Sequence, residues 1–382
     1  MKLMEYQARE TFARYGIPVM DGVVIDSLDN IEEKITGLKF PLVVKAQVQV
    51  GGRGKAGGIR FAENPAEMAE ICGQLLFSEL KGHKINKLMI VEKASGKREC
   101  YLSVILDRLN KCPMVIFSAE GGVDIEETAV TNPEAIIKIP VDPDIGIKRY
   151  MVQYIINKSG IDPEVMPALY DLIKNLYRLF SDTDTLLAEI NPLLINEDNT
   201  VTPLDGKIDV DDSALYRQPR TLEYRSELQE EELVLEARKF DFLYIPIEEK
   251  GDIGVISNGS GMLMSSIDLI SRAGMTVGAA LDLGGGATAD RIREAVRIVL
   301  SNNKIHSLFI NIFGGITRCN EVAEGVNAAM ALQPKGKYVV VRLEGTNKEE
   351  GISILKSSDS DILSVDGLAE GVAALAERRV VQ

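Results

Sequence analysis

The sequence predicts an α/β protein in two parts, a mixed N-terminal part and a C-terminal doubly wound parallel sheet. Three features predict it. From residue 254 onward, apolar strand-like runs and amphipathic helical runs alternate five times, the pattern of a parallel sheet covered on both faces. Before that, Glu99–Asp107 and Pro113–Ser118 alternate apolar and polar residues as antiparallel strands do. Between the two regimes lies the glutamate-dense stretch Glu227–Glu236, with Glu230, Glu231 and Glu232 in succession. It is expected as a solvated helix face connecting the domains, which gives domains 1–236 and 237–382.

Each element follows from local pattern. Leu3–Tyr15 is expected as a helix with Met4, Ala8, Phe12 and Tyr15 on one face, stopped by Gly16 and Pro18. Val23–Ile25 is a strand, Leu28–Ile35 a helix, Pro41–Ala46 a strand, Pro65–Phe77 a helix and Lys87–Lys93 a strand. Ser118–Glu127 is a glycine turn followed by acids. Pro163–Asp182 is a helix opening on proline, where a missing N–H costs little. Leu186–Ile190 and Leu193–Ile195 are strands around Asn191-Pro192, and Val201–Leu204 is another. In the C-terminal part, strands at Gly254–Ser257, Thr276–Asp282, Ser307–Phe313, Tyr338–Leu343 and Ile362–Ser364 alternate with helices near 261–273, 287–302, 319–333, 347–357 and 367–379.

The totals narrow the function. The chain has 382 residues, 45% of them hydrophobic, enough for about two or three domains with cores of their own. A net charge of −14 argues against nucleic-acid binding through a global basic surface. An enzyme of anionic substrates must then concentrate its cations locally. No apolar run approaches the length of a membrane span, and the N-terminus has no signal-peptide pattern. A cytoplasmic location is expected, with the mitochondrial matrix as the alternative for a processed protein. The four cysteines, at 72, 100, 112 and 319, have no C-x-x-C spacing, so neither a zinc site nor a disulfide framework is expected. His83 and His306 lack the flanking carboxylates or glycine turns of a catalytic histidine and are expected to be structural.

Three groups of residues carry chemistry. In Val43–Gly58, an apolar β-branched run delivers Lys45, and a loop follows with glycines at 51, 52, 54, 57 and 58 and cations at Arg53 and Lys55. Glycines let the backbone approach an anion closely, and the cations suit phosphate oxygens. The loop is expected at a polyphosphate site; a plain β-hairpin with a basic turn is the alternative. In the second group, Leu186–Lys207 is expected as a hairpin with Glu189 and Asn191 on one side and Asp205 opposite. Such hard oxygen donors, completed by phosphate and water, suit Mg²⁺; ordinary turn acids would look the same. The third group is the set of small loops after four C-terminal strands, Asn258–Gly261, Gly284–Thr288, Gly314–Thr317 and Glu344–Thr346. In a parallel sheet they share the ligand-binding edge, where helix N-termini favour anions. Gly315 is expected to need its glycine for close anion approach and for backbone freedom.

Together the segments resemble the β subunit of succinate–CoA ligase (succinyl-CoA synthetase). The matching pieces, in family order, include L-M-E-Y-Q-A-R-E-T-F-A-R-Y-G-I-P-V, V-V-K-A-Q-V-Q-V-G-G-R-G-K-A-G-G, A-E-G-G-V-D-I-E, A-E-I-N-P-L, L-D-G-K, L-D-L-G-G-G-A-T, N-I-F-G-G-I-T-R-C and V-V-R-L-E-G-T-N. The resemblance implies an ATP-grasp fold for the N-terminal part and a flavodoxin-like domain for the rest. It implies nucleotide contacts at Lys45, Gly52, Arg53, Gly54, Glu92 and Glu99, and Mg²⁺ ligands at Asn191 and Asp205. Glu189 would meet a phosphohistidine near the nucleotide. Asn258, Gly315, Ile316 and Thr317 would serve the substrate and phosphate. This chain has Gln49 where the family often has histidine, and Thr317 where it often has valine. The implied partner is an α subunit carrying the phosphohistidine and most of the CoA site. The implied reaction joins succinate to CoA with ATP or GTP by way of succinyl phosphate, with neither nucleic acid nor membrane involved. Malate or a similar acid in place of succinate, another ATP-grasp ligation, and a non-catalytic nucleotide-sensing subunit remain alternative readings; αβ and α₂β₂ assemblies are both compatible.

Overall fold

The computed structural model describes residues 1–123, 125–334 and 336–379. The chain divides into two compact units, Met1–Gln229 and Glu230–Gln382.

The first unit holds two main antiparallel sheets and a two-stranded ribbon. After helix α1 (Glu5–Arg14), strand β1 (Gly22–Ile25) and the short helix α2 (Ile31–Lys34) come β2 (Leu42–Ala46), β3 (Ile59–Ala62) and helix α3 (Pro65–Leu75). The two-residue strands β4 (Glu79–Leu80) and β5 (His83–Lys84) pair with each other, and β6 (Leu88–Glu92) comes next. The smaller sheet has the order β1-β6-β2-β3. The larger is built from β7 (Arg98–Asp107), β8 (Cys112–Ser118), α4 (Ile125–Thr131), β9 (Ile136–Pro140), α5 (Arg149–Ser159), α6 (Met166–Asp182), β10 (Thr185–Ile195), β11 (Val201–Pro203) and β12 (Gly206–Val210). Its order is β11-β10-β7-β8-β9, with β12 also on β10.

Alternation along β2 sends its side chains to two different cores. Leu42, Val44 and Ala46 enter one core with Met68, Cys72 and Leu75 of α3. Val43 faces the other way, with Met89 and Val91 of β6, onto Met4 and Tyr6 at the start of α1. Lys45, two residues beyond Val43, shares that second face and is buried. The large sheet packs under α5 and α6, and Ala8 and Phe12 of α1 join its core. Helix α1 is thus wedged between the two sheets.

Strands β7 and β8 pair antiparallel as expected, and Cys72 lies in the core as expected. Both Cys72 and Cys100 are fully buried, and burial pushes their thiols up to about 12. Asn191-Pro192 does not divide a strand. β10 runs through it, with a register shift between Ile190 and Leu193. Helix 163–182 opens as a 3₁₀ turn, Pro163–Val165, before α6. The helix expected over 28–35 is reduced to α2. The sequence reading also passed over β3, β9, α5 and β12. Of the Ser118–Glu127 turn, Asp124 lies outside the described residues.

Helix α7 (Pro219–Glu223) closes the first unit, and α8 (Glu232–Arg238) opens the second. Three acids of the glutamate stretch are not merely solvated: Glu227 pairs with Lys87, Glu230 with Arg238 at 2.6 Å, and Glu236 with Arg297. After β13 (Leu243–Pro246) the expected alternation appears: β14 (Ile253–Ser257), α9 (Ser260–Arg272), β15 (Val277–Asp282), α10 (Ala289–Ser301), β16 (Ser307–Gly314), α11 (Cys319–Met330), β17 (Tyr338–Gly345), α12 (Lys348–Lys356), β18 (Ile362–Val365) and α13 (Leu368–Arg379). The sheet order is β13-β15-β14-β16-β17-β18. Counted from β14, the parallel strands run 2-1-3-4-5, the flavodoxin-like order. β13 adds an antiparallel edge that was not anticipated. Leu308, Ile310 and Ile312 face the core under α10 and α11, while Phe309 faces the core with residues of α9 and α13. No helix among the described residues is long and apolar enough to cross a membrane.

Phe309 is fully buried, so Phe309→Ala leaves a cavity and is expected to destabilise the second unit by about 3–5 kcal/mol. Urea unfolding followed by circular dichroism measures this; an unchanged transition would contradict the packing.

Candidate functional site

The cationic loop connects β2 to β3, whose strands pair with Lys45 opposite Ile59. It is therefore a hairpin, but not one with a freely solvated basic turn. Gly52 and Gly57 adopt φ of +68° and +79°, and the loop closes on itself through Gly58 N–H to the Arg53 carbonyl at 2.9 Å. Gly52, Gly54 and Lys55 stay exposed while Arg53 turns inward and is buried. Its Nη1 donates to the Ala46 carbonyl at 3.1 Å, and its Nη2 to Asp205 Oδ2 at 2.8 Å. Nη2 also lies 2.6 Å from Glu5 Oε2. The other oxygen of Glu5, Oε1, accepts from Lys45 Nζ at 2.7 Å, and Nζ donates further to the Leu204 carbonyl at 2.6 Å.

Four charged side chains from distant parts of the chain thus meet: Glu5 at the start of α1, Lys45 on β2, Arg53 in the hairpin loop, and Asp205 in the turn before β12. Burial works against ionisation of Glu5, yet Lys45 and Arg53 hold its carboxyl below the usual carboxylate range. Burial likewise opposes the Arg53 charge, and Glu5 and Asp205 raise its guanidinium above its ordinary value. A recess lined by Arg9, Phe12, Val19, Met20, Met89 and Val91 opens beside Glu5 and Asp205. The sequence reading missed Glu5. Its signal was a carboxylate at helical spacing with Ala8 and Phe12, on the apolar face of α1.

A second group lies alongside on β10. Glu189 Oε2 accepts from the Tyr101 hydroxyl at 3.0 Å, and burial raises both groups above their ordinary values. Asn191 stands two residues on. Its Oδ1 accepts from Gly122 N–H at 2.8 Å, and its Nδ2 donates to the Val123 carbonyl at 3.0 Å. Its backbone N–H reaches the Asp205 carbonyl at 3.3 Å, so Asp205 does lie opposite it. Glu99 is exposed, and its Oε2 takes the space that a Cβ on Gly122 would need. Glu92 stands apart. It pairs with Leu42 at the other end of β2, roughly 10 Å along the strand from Lys45, and its carboxylate accepts from Lys39 N–H at 2.9 Å. Among the described residues no three acid, histidine or cysteine side chains converge into a cage for a metal. One carboxylate and one amide, Asp205 and Asn191, suit a hard cation that keeps phosphate and water ligands, the usual habit of Mg²⁺.

In the second unit, the loops after β14, β15, β16 and β17 share the carboxyl edge of the sheet. Asn258 is occupied there as a brace: Nδ2 donates to the Phe313 carbonyl at 2.8 Å and Oδ1 accepts from Phe313 N–H at 3.0 Å. Thr317 is 1% exposed, and its hydroxyl accepts from Gly286 N–H at 3.1 Å. Ile316 is 84% exposed. Gly315 does not need glycine for the fold, because its φ is not positive and a Cβ there would meet nothing within 4 Å. The constraint falls on its neighbours: a Cβ on Gly345, at φ +106°, would lie 1.9 Å from the Gly314 carbonyl oxygen. Asp282, which the sequence reading passed over, ties two loops together by accepting from Gly259 N–H at 2.9 Å, Ser260 Oγ at 2.7 Å and Gly284 N–H at 3.0 Å.

The class is set by two domain families: residues 2–195 match the ATP-grasp domain, and residues 256–376 match the CoA-ligase family. Over 385 residues the chain is 40% identical to "Succinate--CoA ligase [ADP-forming] subunit beta" of Desulfatibacillum aliphaticivorans, covering 99% of each chain. It is 42% identical over 374 residues to the protein of that description from Chloroflexus aurantiacus, covering 97% of each. The chain belongs to the succinate–CoA ligase β-subunit family. Among solved structures, ATP citrate lyase from Methanothrix soehngenii, in complex with citrate and coenzyme A, shares the fold with a TM-score of 0.73 at 20% identity, over 98% of this chain and 99% of that one.

Asp282→Ala removes three hydrogen bonds at the loop edge and is expected to lower stability by about 1–3 kcal/mol. Amide exchange at Gly259 and Gly284 should quicken in the variant; unchanged exchange there would contradict the brace.

Proposed function

We propose that this chain is the nucleotide-binding β subunit of a succinate–CoA ligase, working with an α subunit that carries the phosphorylated histidine and most of the CoA site. The observation that carries the reading is the convergence of Lys45 with Arg53 of the glycine-rich loop on one carboxylate, in a chain 40% identical over 385 residues to a relative of that name. The net reaction is succinate + CoA + ATP to succinyl-CoA + ADP + phosphate, reversibly; the relatives' "ADP-forming" description favours ATP over GTP.

Lys45 and Arg53 bind phosphate oxygens through charge-assisted hydrogen bonds. The exposed glycines at 52 and 54 let the backbone approach the same oxygens. Asn191 and Asp205 would hold Mg²⁺, which supplies charge neutralisation for the phosphates. Met20 and Met89 border the site on its apolar side. Glu189, fixed by Tyr101, orients the partner's imidazole as it takes the γ-phosphoryl group. Glu99 lies beside this group, whereas Glu92, at the far end of β2, has no part in it. At the second unit's loop edge, Gly315 and Ile316 face the carboxylate and the phosphohistidine, and Asn258 and Thr317 hold that loop in shape. There the phosphoryl group passes to succinate, and the CoA thiol attacks the acyl phosphate, releasing phosphate.

The chain without its partner should bind Mg–ATP and form no succinyl-CoA. A normal turnover rate from the purified chain alone would overturn the division of labour. Rates of the assembled enzyme with succinate and with malate fix the acid. Asp205→Ala should weaken Mg–ATP binding by about tenfold, roughly 1.4 kcal/mol; calorimetric titration with Mg–ATP checks it, and unchanged affinity would remove Asp205 from the site.

Gly315→Val should fold normally, since the space around a Cβ is open. It places a branched side chain where the anion approaches. Phosphorylation of the partner by ATP should survive better than thioester formation. Equal loss of the two half-reactions in an assembled variant would contradict separate sites.

A further inference from the structure

Glu5 contributes a charge that the nucleotide-site reading does not use. Lys45, Arg53, Glu5 and Asp205 sum to zero formal charge. The two carboxylates are placed differently. The Glu5 side chain is 3% exposed and that of Asp205 is 27% exposed. Glu5 is held there by the packing of α1: Met4, Tyr6, Ala8 and Phe12 are all buried, and the helix is wedged between both sheets. It cannot swing away to make room for a ligand. Asp205, on the open side, can exchange Arg53 for another cation.

Both carboxylates hold Arg53 Nη2, Asp205 Oδ2 at 2.8 Å and Glu5 Oε2 at 2.6 Å, and the charges of both raise the guanidinium above its ordinary value. One buried carboxylate is shared by both phosphate-facing cations and cancels half of their combined charge, in a place where solvent screening is weak.

We propose that Glu5 is a specificity-determining residue, a proposal that rests on the nucleotide-site reading: it makes the site prefer a metal-bound nucleoside triphosphate to the metal-free one. A cation pair at full strength attracts the more highly charged metal-free triphosphate most strongly. With Glu5 behind it, the pair is matched to a polyphosphate whose charge a divalent cation has already reduced. Glu5 also shares the hold on Arg53, which leaves Asp205 free to turn to the metal. Without Glu5, Arg53 has Asp205 as its one remaining carboxylate partner of the four-group cluster, and the metal would have to compete for it.

The test is calorimetric titration of the full-length chain with ATP in excess Mg²⁺ and with ATP in EDTA, for the wild type, Glu5→Gln and Lys45→Met. The quantity read is the ratio of the metal-free Kd to the Mg²⁺-bound Kd. Glu5→Gln should lower this ratio by about tenfold, and Lys45→Met, which removes a cation and leaves Glu5 paired with Arg53, should raise it. A merely structural role for Glu5 would change both Kd values by the same factor, and that result overturns the proposal. If Glu5→Gln does not fold, Lys45→Met decides alone, and a ratio that does not rise overturns the proposal. A wild-type chain that binds ATP under neither condition would instead overturn the nucleotide-site reading itself.

Discussion

A single carboxylate on the first helix holds two cations that are brought together from a strand and a hairpin loop. The contacts Glu5–Lys45 and Glu5–Arg53 are the interaction on which the rest of the first unit's site depends. Two buried cations a few ångströms apart repel, and each loses its hydration; a buried charge without a partner is strongly destabilising. Glu5 answers both problems at once. Its position follows from the packing of α1, with Met4 and Tyr6 on the smaller sheet and Ala8 and Phe12 on the larger. The site's electrostatics are thus built on the same contacts that join the two sheets of this unit.

The second unit solves a different problem. At the carboxyl edge of its sheet, side chains are spent on shaping the loops, Asp282 among them. Asn258, Asp282 and Thr317 spend their polar atoms on neighbouring loop backbone. They shape the edge, and Gly315 and Ile316 stay exposed on it. An anion held here would be bound by backbone dipoles, whereas the first unit offers full charges.

The C-terminal fold was the most legible part of the sequence. Buried parallel strands are continuous apolar runs, and the helices between them keep a clear 3.6-residue period, so their bounds fell within a few residues of those observed. The β13 strand was hidden because a short edge strand, mostly exposed, lacks either signature. In the N-terminal unit, β12 and β3 escaped for a related reason: four- and five-residue antiparallel strands carry too few alternations to stand out from a loop. The bulge at Asn191-Pro192 looked like a strand break because proline cannot donate to a ladder. Local spacing singled out Lys45, Arg53, Glu189, Asn191 and Asp205 as candidates. It could not show that Arg53 turns inward, or that Glu5, 40 positions before Lys45, stands between the cations. That pairing is a tertiary fact, and its one local trace was an acid on an apolar helix face.

The central claim is that nucleotide binds in the first unit at the loop carrying Arg53. Hydrogen–deuterium exchange of the full-length chain with and without Mg–ATP tests it most directly. The account predicts protection of the backbone at 49–58, 121–123 and 203–206, with little change at 258–261 and 314–317. Protection confined to those second-unit loops, with the Arg53 loop unchanged, would contradict it.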